Sequence, residues 1–217
     1  MNNLSTLIGS CDKYTPLLKT FQICFDRYWS LNTRNIIVTE TIDVPNYTDT
    51  NFEVVKAIGR WGSRMLKALD KIDTDYVYFI LDDYFLQYKH PDGTIERYIE
   101  LMERHNIDRL QISPSFHQRY TQTVKDGLTK ISDDSTYLIS LQPSIWKKDF
   151  IYKTLVPSYD PWQYELKASE ILKNSDNNIY IDRSAPMIYW NAVRVGMVKG
   201  DGWDKFFERE GLESIQI

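Results

Sequence analysis

Cysteine is scarce in this 217-residue chain: Cys11 and Cys24 are the only two. They supply neither a disulfide framework nor a zinc-ligand spacing. The three histidines, His90, His105 and His117, stand far apart and form no metal-ligand pattern. Positive charge is not in excess. Lys and Arg number 26 against 30 Asp and Glu, a net charge of −4, which argues against a nucleic-acid partner. No apolar run approaches the length of a membrane span. The opening Met1-Asn-Asn-Leu-Ser5 lacks the basic start and apolar core of a secretory signal. The expectation is a soluble cytoplasmic protein. There is no internal repeat, low-complexity tract or long linker, so residues 1–217 are expected to form one domain.

Against these absences stand a hydrophobic content of 42%, enough for a proper core, and a heavy load of amphipathic aromatics, six Trp and 15 Tyr. The most informative segment is Tyr76-Val-Tyr-Phe-Ile-Leu-Asp-Asp-Tyr-Phe85. Val77 to Leu81 read as a strand buried on both faces, with Asp82 and Asp83 at its carboxyl end. Adjacent carboxylates beside a dry strand are costly unless a cation or ligand compensates them. Carboxyl strand ends are also where open α/β sheets bind ligands. A hard divalent cation held by one or two carboxylates plus substrate phosphates fits such a pair. The alternative is a solvated acidic turn.

The remaining elements are expected in α/β order. Leu4–Ser10 reads as a first strand; Thr15-Pro16 opens a helix with Thr15 as N-cap, and Leu17, Phe21, Cys24, Phe25 and Tyr28 form its apolar face. Asn35–Glu40 is a second strand, completing a βαβ unit and implying a parallel sheet. Residues 43–51 read as a loop. Trp61, Met65, Leu66, Leu69 and Ile72 mark a helix leading into the acidic strand. A turn at Pro91-Asp-Gly93 precedes another helix, and Arg109–Ser113 reads as a strand. The polar stretch 116–134 is expected to be a mobile loop or a hairpin. Thr136–Leu141 reads as a strand, and Gln142–Asp149 as a turn and short helix. Asp160-Pro161 pairs an N-cap with a first helical position, starting a helix from about 162 to 173. Ile179–Asp182 and Met187–Trp190 are late strands. Gly200-Asp-Gly202 breaks the chain before a final helix, Trp203–Glu210.

Glu165 lies in the first turns of the helix opened by Pro161, on or beside its inward face with Trp162, Leu166 and Ser169. A fixed, partly buried carboxylate is what a general base requires. An ordinary glutamate complementing the helix dipole would occupy the same place.

Taken together, the βαβ start, the helix running into a strand that ends in paired Asp, and the late Pro-Ser-Ile-Trp and Pro-Trp-Gln-Tyr-Glu segments resemble a GT-A-type glycosyltransferase. More narrowly, the chain is similar to small bacterial glycosyltransferases of surface-polysaccharide loci (capsule or O-antigen), some of which carry Leu-Asp-Asp-Tyr-Phe. The resemblance covers roughly Leu4 to Trp190 and implies an α/β fold with a mostly parallel central sheet and helices on both faces. A Rossmann-like nucleotide-sugar half would take about residues 1–113 and an acceptor half about 114–217. It implies transfer of a sugar from a nucleotide-sugar donor, UDP being the commonest base partner, to a hydroxyl of a glycan or lipid-linked acceptor.

Carried over by position, Asp83 and Asp82 would hold Mn²⁺ or Mg²⁺, with Asp83 the first choice for direct contact. Leu81-Asp82-Asp83-Tyr84 departs from the usual Asp-any-Asp form, which leaves open which Asp touches the metal and whether one is needed. Asp12 and Glu40, at the first two strand ends, would meet the nucleoside, or serve only as turn residues. Arg64, with Arg60 and Trp61 nearby, would pair with a phosphate or be a surface arginine. Asp82 also belongs to the nucleotide set. Glu165 would be the base of an inverting, hexosyltransferase-type enzyme. Trp146 and Trp162 would be acceptor platforms unless they are core. Lys147 and Lys148 would meet a lipid diphosphate, and Trp203–Phe207 would give at most a peripheral membrane contact or cover the sheet. Two other classes remain. A sugar nucleotidyltransferase shares the plan but usually carries a Gly-rich basic loop, whereas Gly9-Ser-Cys-Asp-Lys13 has one Gly and one Lys. A non-catalytic carbohydrate-binding or scaffold module would use the aromatics without needing the three carboxylates.

Overall fold

The doubly buried runs become the centre of a twisted sheet. The computed structural model describes residues 3–114, 117–173, 175–194, 197–198 and 202–213. Strands β1 (Leu4–Gly9), β2 (Arg34–Thr39), β3 (Phe52–Lys56) and β4 (Tyr76–Leu81) run parallel in the order β3-β2-β1-β4. Beyond β4 the sheet continues through β9 (Ser144–Lys147), β6 (Arg109–Gln111), β10 (Ile179–Ile181), β8 (Leu128–Ile131) and β7 (Tyr120–Lys125). Only β9 and β8 run against the other strands of this sheet. A short ribbon pairs β5 (Tyr84–Leu86) with β11 (Tyr189–Asn191), and β12 (Val193–Arg194) pairs β13 (Met197–Val198).

Alternation along the strands divides the core into two layers. Leu4, Ile8, Ile37, Tyr78, Ile80, Leu110 and Ile145 face one side, where α1 (Leu18–Tyr28), α3 (Thr94–Arg104) and α7 (Trp203–Glu210) pack. Leu7, Ile36, Val38, Val77, Phe79 and Trp146 face the other, against α2 (Trp61–Leu69), α4 (Lys148–Thr154) and a helix running from α5 (Pro161–Gln163) through a π-helical turn (Tyr164–Ala168) to α6 (Ser169–Leu172). The expected α/β architecture, with helices on both faces of a mostly parallel sheet, is the one observed.

Several local expectations change. The segment after β1 is a 3-10 turn, Asp12–Leu17, that contains Pro16, and the Thr15 hydroxyl donates to the Asp12 carbonyl (2.8 Å) rather than capping a helix. The stretch 116–134 contains a hairpin: Asp126 (φ 48°) and Gly127 (φ 89°) make the turn between β7 and β8, and two successive positive φ values suit the right-handed twist of a hairpin. Residues 136–141 form no strand, because their amides find side chains instead. Ile139 N–H donates to Ser169 Oγ (2.8 Å) and Leu141 N–H to Glu165 Oε1 (2.7 Å). The strand lies just after, at β9, in what reads in the sequence as a turn. Trp203 and Phe206 are buried against Trp190 and Phe85, with Phe207 packed behind them, so these three aromatics cover the ribbon, the second of the two expected roles. Gly200 and Asp201, expected to break the chain, lie outside the described residues. Among the described residues, no helix is long and apolar enough to cross a membrane.

Candidate active site

The parallel order places the carboxyl ends of β1, β2 and β4 along one edge, and the connection turns back at β1, which makes this the natural crevice of the sheet. Asp82 emerges from β4 with 4% of its surface exposed. Its amide donates to the Gly9 carbonyl (3.1 Å), and its Oδ2 accepts from the Ser10 hydroxyl (2.5 Å). Burial, and then the Asp83 carboxylate, holds the Asp82 carboxyl well above the ordinary carboxylate range. Asp83 keeps part of its surface open, yet burial pushes its carboxyl up to about 7. The Asp83 carbonyl accepts from the Ala192 amide (2.8 Å), tying the pair to the ribbon. The two adjacent carboxyls, with the Ser10 hydroxyl as the one side-chain donor to Asp82 among the described residues, present hard oxygens at the crevice. They fit a divalent cation that takes its other oxygens from phosphate and water. Among the described residues no third His, Cys, Asp or Glu completes a protein-only cage.

Behind the pair, three predicted nucleotide-binding residues are tied into a closed network. Arg64, from α2, is 5% exposed, so it is no surface arginine. Its Nη1 donates to the Ser10 carbonyl (3.0 Å) and lies 3.1 Å from Glu40 Oε1. Glu40 Oε2 accepts the Asp12 amide. The Asp12 carboxylate accepts the Glu40 amide (2.9 Å), the Thr41 amide (3.1 Å), the Thr41 hydroxyl (2.6 Å) and, more distantly, the Ile42 amide (3.4 Å). Those donors, the Thr41 hydroxyl foremost, pull the Asp12 carboxyl down to about 2. The structure therefore brings Asp12, Glu40 and Arg64 together: the Asp12 and Glu40 carboxylates each accept the other residue's backbone amide, and Arg64 ties Glu40 to the Ser10 carbonyl.

Glu165 sits in the π-helical turn, half-buried. The Asp160 N-cap sets that helix through a capping box with Gln163. The preceding loop is pinned to the start of α2: Gly62 N–H donates to the Tyr159 carbonyl (2.9 Å) and Ser63 N–H to the Pro157 carbonyl (3.0 Å). A Cβ on Gly62 would stand 2.2 Å from the Val156 carbonyl oxygen, so only glycine permits the approach. Burial raises the Glu165 carboxyl, while the Leu141 amide, the Arg109 charge and the Ser140 hydroxyl oppose it. Tyr84, the residue after the acidic pair, has a phenol that feels Asp83 and Glu165 together, and burial raises it well above an ordinary tyrosine. Its ring packs 4.4 Å from that of Tyr189.

The two tryptophans separate. Trp162 is 66% exposed beside Glu165 at the start of the helix. Trp146 is 1% exposed, enclosed by Phe150, Tyr164 and the Arg109 guanidinium. Its pairing with Val77 sets it toward the amino end of β4, so the acceptor-platform expectation does not hold for Trp146. Lys147 and Lys148 follow it to that far edge and are spent there, Lys147 on Asn106 (2.5 Å) and Asp108 (3.2 Å), Lys148 on the Ile72 carbonyl (2.8 Å). Sequence reasoning gave no role to Ser10, Tyr84 or Arg109. Tyr84 was marked by its adjacency to the Asp pair; Ser10 and Arg109 carry no local signal.

The chain matches no protein-family model and no curated protein. Its likeness is to solved structures. S. aureus TarS 1–349 in complex with UDP-GlcNAc overlays with TM-score 0.58 at 16% identity, over 96% of this chain and 64% of that one. A second structure of TarS 1–349 gives 0.55 at 13%, over 83% and 58%. A cytidylyltransferase from Leptospira borgpetersenii serovar Hardjo-bovis gives 0.51 at 10%, over 100% and 99%. This chain therefore spans 58–64% of the length of those TarS 1–349 chains. At these identities the likeness speaks for the fold: a mixed α/β, GT-A-like sheet with its crevice at the carboxyl edge.

Proposed function

We propose that the protein transfers a sugar from a nucleotide-sugar donor, a UDP-sugar in the first instance, to a hydroxyl of a glycan or lipid-linked glycan, with inversion. The observation that carries this reading is the buried Asp82–Asp83 pair at the carboxyl end of β4, tied to the end of β1 through Ser10 and the Gly9 carbonyl at the crevice of the sheet. The occurrence of UDP-GlcNAc in a fold neighbour is consistent with the donor class.

In this reading Asp83 and Asp82 would hold Mn²⁺ or Mg²⁺, which when bound would balance the donor diphosphate and the charge on the departing nucleotide. Ser10 keeps Asp82 in place, and the Asp12–Glu40–Arg64 network holds Ser10. We assign those three residues to supporting the site in place of direct nucleoside contact. Glu165 takes the proton from the acceptor hydroxyl as that oxygen attacks the anomeric carbon. A carboxylate whose burial raises its pKa is a stronger base than one in water. Trp162 offers its exposed face to sugar C–H groups, with the acceptor in the half after residue 113.

A second reading, a sugar nucleotidyltransferase, is favoured by the full-length overlay on the cytidylyltransferase. The single Gly and Lys between Gly9 and Lys13 weigh against it. A thermal-shift screen with UDP-, GDP-, CMP- and dTDP-sugars, with and without Mn²⁺, separates the two when followed by product analysis. Metal-dependent stabilisation by a nucleotide-sugar, and release of its nucleoside diphosphate on adding acceptor, is the expected result. Pyrophosphate release from CTP and a sugar 1-phosphate would replace the first reading by the second.

A further inference from the structure

Arg109 is the first residue of β6, with 0% of its surface exposed. Its Nη2 donates to Gln111 Oε1 (2.9 Å), the Ser140 carbonyl (2.7 Å) and Ser144 Oγ (2.9 Å). The Trp146 ring covers the guanidinium at 4.8 Å. Nε and Nη1 have no hydrogen-bond partner, and among the described residues no carboxylate lies within ion-pair distance. Arginine does not shed its proton at neutral pH, so this is a dry, unpaired positive charge, a costly element to keep in a core.

What it touches gives the reason to keep it. The Ser140 carbonyl and the Leu141 amide belong to one peptide unit. Arg109 holds the oxygen of that unit, and the N–H of the same unit donates to Glu165 Oε1 (2.7 Å). A peptide is planar, so fixing its oxygen fixes the direction of its N–H. A hydrogen bond on the oxygen also polarises the unit and strengthens its donor. Among the described residues, the charged or titratable groups whose fields reach Glu165 are Arg109 from β6 and Tyr84 from β5, with the Ser140 hydroxyl as a hydrogen-bond partner, and of these Arg109 alone brings a positive charge.

We infer that Arg109 is a positioning residue for Glu165, acting through the Ser140–Leu141 peptide plane, which it orients and polarises so that Glu165 is held in place as a carboxylate. This rests on the reading of Glu165 as the base, but its central link is measurable without turnover. The experiment is a ¹³C titration of the Glu165 carboxyl, assigned with Glu165→Gln, together with the Leu141 amide proton shift, in wild type, Arg109→Met and Arg109→Lys. In Arg109→Met the Glu165 midpoint is expected to rise by roughly one pH unit, as the loss of a nearby opposite charge requires. The Leu141 amide proton should move upfield as its hydrogen bond weakens. Arg109→Lys keeps the charge but not the planar fork, so it should leave the midpoint nearer wild type while still moving the amide. Where transfer is measurable, kcat should fall about tenfold or more in Arg109→Met, with donor KM little changed and the acid limb of the pH profile displaced upward. Folded variants with a lower Tm but an unmoved midpoint and amide would overturn the inference, leaving Arg109 merely structural. Should Arg109→Met not fold, an unmoved Leu141 amide in Arg109→Lys would overturn it equally. If wild type transfers no sugar, a moved midpoint still supports the link, and only the base role of Glu165 falls.

Discussion

Two sets of acidic residues are built in opposite ways. At the ends of β1 and β2, Asp12, Glu40 and Arg64 answer one another: each carboxylate has a cation, an amide or a hydroxyl, and Asp12 is the more acidic for it. At β4 and the π-helical turn, Asp82, Asp83 and Glu165 are buried faster than they are compensated, and all three carboxyls are raised. A closed cluster stabilises the fold in its charged state. An open one stores the cost of charge until something arrives to relieve it, which is the condition expected of a site that binds or reacts. The comparison predicts that substitutions in the open cluster act on turnover, and those in the closed cluster on stability.

The largest effect should come from Glu165→Gln. Removing a general base costs about 10²–10⁴-fold in kcat, while the donor binding proposed for Asp83 should hardly change. Gln keeps an oxygen for the Leu141 amide. Because burial raises the Glu165 carboxyl in the folded state, its contribution to stability is present at low pH and lost as pH rises through that folded value. Glu165→Gln should therefore raise Tm at pH 7–8 more than at pH 4. A Tm that fell at neutral pH would place Glu165 in the closed class. Asp83→Asn comes next. It should abolish the Mn²⁺-dependent part of the thermal shift and lower transfer by about 100-fold, the upper end of what a merely supporting residue gives. Unaltered metal-dependent donor binding in that variant would remove Asp83 from the metal site.

How far these clusters can be read from the sequence follows the same division. Val77–Leu81 and Ile36–Val38 are apolar on both faces and flanked by turns, so β2 and β4, and with them the Asp pair, announce themselves locally. The mixed half of the sheet does not. Thr136–Leu141 has the composition of a strand, yet Leu138, Ile139 and Leu141 are buried in irregular chain. The Ile139 and Leu141 amides are satisfied by Ser169 and Glu165, 30 and 24 positions away, and no local pattern reveals such partners. Trp146 and Trp162 look alike as residues, and only the antiparallel pairing of β9 separates a core ring from an exposed one. Arg109 reads as the polar start of a strand, since a charge in a core is explained only by what surrounds it.

The tryptophans give the next contrast. Trp146→Ala should cost about 3–5 kcal/mol of stability through the cavity it leaves. Trp162→Ala should stay within about 0.5 kcal/mol of wild type, as a solvent-facing change does, while raising KM for the acceptor. Chemical denaturation and acceptor kinetics on the two variants measure both. Equal stability losses would place Trp162 in the core class, and an unmoved acceptor KM would end its role as a platform.

The smallest effect tests the closed cluster. Asp12 titrates near 2 in the folded chain, below the 3.8 ordinary for aspartate, because the Thr41 hydroxyl and the amides of residues 40–42 favour its charged form. A carboxyl whose pKa is lowered by folding contributes stability that is present above its unfolded value and lost as pH falls through the folded one. The window is therefore about pH 4 down to about pH 2. In that window wild type should lose stability more steeply than Asp12→Asn, whose side chain carries no proton to take up, and above pH 5 their difference should be constant. Tm measured across pH 2–6 decides it. A difference that holds above pH 5 and shrinks as pH falls through that window would mean that Asp12 acts by its charge. A difference that never changes would mean that it acts by its shape, and the closed cluster would then be held by geometry without help from ionisation.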